Sequence, residues 1–204
     1  MNAEPARRGT VVVVRPVPDP LPRVRPALLG LPETVDGVTV LLRSRAAEEL
    51  ATLPRSSRVE EGGFLVGRPM SVADRQVTLG EPQPYLVEVH EIVPAQHTKA
   101  TATRLTFTPD TFAALNERLA GAAPARRLLG WYHTHLGVGP EPALSSVDVA
   151  MHTATFRVPW QVAAVVNLYD ERRAVRFFAR SATGLDACAH WIVDDLGRCH
   201  QEAG

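Results

Sequence analysis

Lysine is almost missing from this chain. Of its 22 basic residues, Lys99 is the single lysine, and 22 acidic residues bring the net charge to zero. That balance creates no strong field to favour nucleic acid or an anionic membrane surface. Cysteine is also scarce. Cys188 and Cys199 are the whole supply, too few for a disulfide scaffold and in keeping with a reducing, cytoplasmic setting. No apolar run approaches the roughly 20 residues that a membrane helix needs. The N-terminus has the outline of a signal peptide, with Arg7 and Arg8 ahead of the valines at 11–14, but Arg15 and Pro16 stop the apolar stretch. No G-x-S-x-G elbow occurs, which disfavours a Ser-His-Asp hydrolase of that type.

What remains is a globular composition, 45% hydrophobic over 204 residues, enough for one domain with extensions. Pro16, Pro18, Pro20, Pro22 and Pro26 mark residues 1–35 as a Pro-rich extension that cannot be helical. Its valines at 11–14 read as an added edge strand, a partner-docking segment or part of a loosely attached arm. Strands are expected at 37–42, around 64–67, at 76–79, 85–94 and 104–107, and over the apolar run that begins at Leu128. A further strand is expected at 160–169, then a turn at 170–173 and a return strand at 174–178. Ser44 is expected to cap a helix that reaches about Leu53, ahead of Pro54. Thr108-Pro109-Asp110 starts another, with Phe112, Leu115 and Leu119 on one face and Gly121 at its end. The fold class is α+β, a mixed and largely antiparallel sheet flanked by helices. In the tail, Leu185, Cys188, Ala189, Ile192, Val193 and Leu196 recur at helical spacing, so residues 185–204 are expected to form a helix packed on a domain at 36–184.

The chemistry concentrates at Tyr132-His133-Thr134-His135. In a strand, residues i and i+2 share a face, so His133 and His135 present two imidazoles side by side. Asp148 follows in Ser145-Ser146-Val147-Asp148. Two histidines and a carboxylate are the ligand set of an open zinc site, in which water takes the fourth position. Each residue also has a plainer explanation. Single histidines are usually satisfied core or surface groups, and Ser145-x-x-Asp148 fits a helix capping box. The readings of Asp148 are compatible, because a helix N-terminus can hold a ligating carboxylate rigidly.

A third segment adds to these. Glu60, Gly63, Leu65 and Gly67 follow the pattern E-x-x-G-x-L-x-G. With this glutamate, then H-x-H, then S-x-x-D, the chain resembles the JAMM/MPN (JAB) metalloprotease family over roughly residues 36–180. The resemblance implies a three-layer, cytidine-deaminase-like fold with one Zn2+ per chain held by His133, His135 and Asp148. It implies Glu60 as general base and acid and Ser145 as the hydrogen-bond donor to an oxyanion. Glu61 is the alternative base and Ser146 the alternative donor, each one residue away. Two departures stand out: Leu136 replaces the proline that usually follows the second histidine, and the loop from there to Ser145 is two residues longer than usual. His152, four residues after Asp148, lies on the same helix face. It is either a fourth ligand, a solvent-exposed group or a hydrogen-bonding neighbour of the ligands. Cys188, His190, Cys199 and His200 are not counted as a second metal cluster, since Cys188 belongs to the apolar stripe.

By the same resemblance the activity is that of a zinc isopeptidase or peptidase, cutting after the C-terminal tail of a ubiquitin-like or sulfur-carrier protein. Such a tail can add as a strand to an open sheet edge. Two rivals are a non-catalytic MPN scaffold that holds partners, and a hydrolase that releases a small amino acid from a sulfur-carrier adduct. Zinc binding separates the first rival from the enzyme. Nothing in the sequence sets an oligomeric state.

Overall fold

The structure is a computed structural model that describes residues 21–32, 35–54, 58–73, 83–122, 126–137, 141–168 and 173–201. In chain order its elements are β1 (Arg23–Val24), a 3-10 turn at Pro26–Leu29, β2 (Val38–Arg43), α1 (Ser44–Ala51), β3 (Gly62–Val72) and β4 (Tyr85–Pro94). A hairpin of β5 (Lys99–Thr101) and β6 (Arg104–Thr106) precedes α2 (Pro109–Ala120) and β7 (Arg127–His135). Then come α3 (Ser146–Thr155), β8 (Val162–Asn167), β9 (Ala174–Arg180), β10 (Leu185–Cys188), β11 (His190–Val193) and β12 (Cys199–His200). The class is α+β. The expected strands at 37–42, 64–67, 85–94, 104–107, 160–169 and 174–178 are present as β2, β3, β4, β6, β8 and β9. The expected strand at 76–79 and the valines at 11–14 lie outside the described residues, as does most of the turn at 170–173. No helix among the described residues is long and apolar enough to cross a membrane.

Among the described residues, ten strands make one mixed sheet in the order β10-β9-β8-β7-β3-β4-β2-β11-β12, with β1 paired in parallel to β3. The sheet is curled. β10 pairs with β9 at one end of this order and β11 with β2 near the other, yet Ala189 alone separates β10 from β11 in the chain. One continuous stretch therefore bridges both ends of the sheet, and the Val40 amide donates to the Ala189 carbonyl at 2.9 Å at the seam.

The inside of the curl is apolar. Val38, Val40 and Leu42 of β2 meet Val87 and Val89 of β4, Val162, Ala164 and Val166 of β8, and Phe177 of β9, with Ala46 and Leu50 of α1. Alternation sends the intervening residues to the other face. There Phe64, Val66, Trp131, Ala163 and Val165 pack under Leu115 of α2 and Phe156 just beyond α3. Leu41, Met70, Leu86 and Val193 are covered on the same principle by Leu31 and Val35. The described part of the Pro-rich extension is thus docked on the sheet.

Two expectations are corrected. Residues 185–201 form strands, not a helix: the apolar residues pair with β9 and β2, partners far away in sequence, and Leu196 of the supposed stripe is 77% exposed in a turn. Ser44 does not cap α1. It is already helical, and its hydroxyl donates to the Val193 carbonyl at 3.1 Å, which β11 brings alongside β2.

Candidate metal centre

β7 carries the site because a bulge sets its phase. The β3–β7 register shifts between Leu65 and Val66, which leaves Leu129 and Tyr132 on the inner core and Trp131 on the outer one. From Trp131 onward the strand alternates, so Trp131, His133 and His135 share the outer face. Gly130 is needed at the bulge, since a Cβ there would lie 1.9 Å from the Val162 carbonyl oxygen of β8. Gly62 serves the same purpose at the start of β3, where a Cβ would lie 2.5 Å from the Tyr132 carbonyl oxygen.

The structure brings His133, His135 and Asp148 together. Their ligand atoms all lie within 4.8 Å of one another. His133 Nε2 is 2.9 Å from His135 Nε2 and 3.6 Å from Asp148 Oδ2. A tetrahedral zinc with bonds of about 2.0–2.1 Å spaces its ligand atoms about 3.3 Å apart, so small shifts suffice to seat one. Burial is the main cause that lowers the pKa of both imidazoles, that of His133 to about 4, against an opposing pull from the Asp148 carboxylate. Both rings are therefore neutral at pH 7, the form that binds metal. Two imidazole nitrogens and one carboxylate oxygen are donors that suit zinc, and three protein ligands leave a position open.

Asp148 is held by the cap that the sequence suggested. Ser145 is the N-cap of α3: its backbone N–H donates to Asp148 Oδ2 at 2.8 Å, and the Asp148 N–H donates to Ser145 Oγ at 3.2 Å. The carboxylate is thus oriented by the helix start while it faces His133. Ser145 and Ser146 are both exposed, and of the two it is Ser145 that bonds with Asp148; Ser146 is the first helical residue.

Glu60, in the segment before β3, is outside this group of three but within reach of the Asp148 charge. It is 7% exposed, and its backbone N–H donates to the Thr101 carbonyl of the β5–β6 hairpin at 2.8 Å. Burial, helped by the nearby Asp148 charge, raises its carboxyl to about 7. Glu61 pairs through its backbone with Thr134, and its charge acts on Tyr132, on the inner side of the sheet. The neighbours thus face different surroundings.

His152 is fully buried rather than solvent-exposed, and it is outside the ligand cluster. Its Nδ1 accepts a hydrogen bond from Trp131 Nε1 at 3.1 Å, and Trp131 stacks on His133 with ring centroids 4.9 Å apart. Sequence reasoning did not single out Trp131. The signal was present in the i, i+2, i+4 spacing of Trp131, His133 and His135.

No family model matches the sequence, and no curated protein matches it. Among solved structures the chain is similar to protein DSY2949 from Desulfitobacterium hafniense, with 18% identity over 78% of this chain and 94% of that one, at a TM-score of 0.52. At that identity the similarity speaks to the fold alone.

Proposed function

We propose that this chain is a zinc-dependent isopeptidase or peptidase of the JAMM/MPN kind, and that its curled sheet with outer helices is the MPN/JAB arrangement. The substrate we propose is the extended C-terminal tail of a ubiquitin-like or sulfur-carrier protein, in a cytoplasmic setting. One observation carries the reading: a buried glutamate with a raised pKa sits electrostatically coupled to a cluster of two neutral imidazoles and a carboxylate. Perturbed acids beside a metal-binding set are what hydrolytic catalysis requires.

When bound, zinc supplies a Lewis acid that acidifies a water and polarises a carbonyl. The chain's residues supply the rest. His133, His135 and Asp148 hold the ion. Glu60 takes a proton from the attacking water and returns it to the leaving amine, which suits a carboxyl tuned close to neutral pH. The Ser145 Oγ accepts from the Asp148 amide and keeps its own proton for donation to an oxyanion.

The test is metal content together with cleavage. Protein purified without chelator should carry one zinc per chain by elemental mass spectrometry, and His133→Ala or Asp148→Ala should remove it. It should release a ubiquitin-fold C-terminal fusion. Folded protein free of stoichiometric zinc overturns the enzyme and leaves the scaffold reading. Release of only a small amino acid from a carrier adduct would move the activity to that narrower hydrolysis.

A further inference from the structure

The metal ligands we assign come from two separate elements. His133 and His135 end β7, whereas Asp148 stands in the first turn of α3. A site of this kind binds well only if those elements keep a fixed relation, because ligand positions tolerate errors of about 0.5 Å. A buried side-chain hydrogen bond joins them. Trp131 Nε1–H donates to His152 Nδ1 at 3.1 Å, between a tryptophan 1% exposed and a histidine wholly buried. His152 is one helical turn beyond Asp148.

The indole does a second thing. It lies nearly flat against His133, with ring centroids 4.9 Å apart and planes 19° apart. Phe156 stacks on both the indole and the His152 ring, at 6.2 Å and 5.5 Å. His133 therefore rests on a plate whose edge is pinned to α3. Indole N–H is a donor only, so His152 must accept through Nδ1 and carry its proton on Nε2. That bond occupies Nδ1 and keeps it from acting as a ligand.

We infer that His152 is a positioning residue of the metal centre: through Trp131 it fixes the plane under His133 and locks Asp148 against β7. This rests on the metal-site reading above and assigns His152 a role that is neither ligand nor proton carrier. An apolar residue at 152 would leave the indole N–H buried without a partner and free α3 to shift.

The experiment measures zinc and cobalt affinity of the stripped full-length protein by chelator competition, the visible spectrum of the cobalt form, and thermal melts of the metal-free protein. His152→Leu should weaken metal binding by about tenfold, the lower end for residues that orient ligands, and should alter the cobalt bands. Trp131→Phe keeps the ring and loses the donor, so it should do the same. The double variant should be no weaker than either single one to within about twofold, because both remove one bond. His152→Asn, whose side-chain oxygen stands close to the place of Nδ1, should restore affinity and spectrum.

A His152→Leu protein with wild-type affinity and spectrum but a lower melting point makes the residue structural only and overturns the proposal. So do additive losses in the double variant, or no rescue by His152→Asn. If His152→Leu does not fold, Trp131→Phe against His152→Asn decides the same question. Wild-type protein that takes up no metal defeats the metal-site reading itself, before any variant is compared.

Discussion

Glu60 and Glu61 are adjacent and chemically identical, and the fold treats them differently. Glu60 is buried and, with the Asp148 charge acting on it, has its carboxyl raised to about 7, whereas Glu61 is half-buried and acts on Tyr132. Burial is the larger cause of the Glu60 shift, so the metal-free protein keeps its proton up to about pH 7. A dication in the cluster would favour the ionised carboxylate and make it a usable base. Glu60→Gln keeps the shape and removes the proton acceptor. It should cut turnover of a C-terminal fusion about 100-fold or more, the lower range for a general base, with zinc still bound. Glu61→Gln should change turnover little. Measuring zinc and rate on both variants with one substrate checks the assignment, and a dead Glu61→Gln beside a fully active Glu60→Gln would move the base by one residue.

Between elements, the polar centre of the outer face is Glu88 of β4, which is 4% exposed. Arg43 of β2 donates to it at 2.8 Å and Arg68 of β3 at 2.8 Å, so one carboxylate ties three neighbouring strands. Burial alone would raise this carboxyl, but the hydrogen bond and charge of His90 and the charges of Arg43 and Arg68 outweigh it and hold the group down at about 2. A depressed carboxyl gives stability that is present above its unfolded value of 4.5 and lost as the pH falls towards 2. Both arginines are more than a third exposed, so screening reduces the pH-dependent part to about 1–2 kcal/mol. Urea melts of wild type and Glu88→Gln at a series of pH values should show their difference shrinking as the pH falls through that window; a constant difference would refute the clamp. Elements of this kind were legible where their cause is local. The limits of β4, the Thr108 cap of α2 and the Ser145–Asp148 cap of α3 all follow from neighbouring residues. The meeting of His133, His135 and Asp148 was legible for the same reason, through strand alternation and helix start. The bond from Trp131 to His152 was not, because it depends on how α3 packs against β7. Nor was the tail, since spacing shared by helix and strand is decided by partners on β2 and β9 that no local pattern reveals.

For the whole molecule, residues 185–193 matter as a seam. Their first half extends the sheet beyond β9 and their second half lies along β2, with Val193 buried and Ser44 bonded to its carbonyl. Removing them would open the curl along both strands, strip backbone partners from β2 and β9 and expose the inner core that Val40 and Phe177 share. A domain of ordinary stability has only about 5–15 kcal/mol to lose, and a cut of two ladders plus core exposure takes a large part of it. A chain ending at Gly184 should therefore lose its cooperative thermal transition and, with it, the proposed zinc binding, because β7 sets Leu129 and Tyr132 in that same inner core. A helix laid on a finished domain would behave otherwise. Its loss would leave a sharp transition within about 4 °C of the full-length protein, the shift for roughly 1 kcal/mol at this size. Thermal melts by circular dichroism on the two chains, with zinc content measured in parallel, distinguish a seam from an appendage.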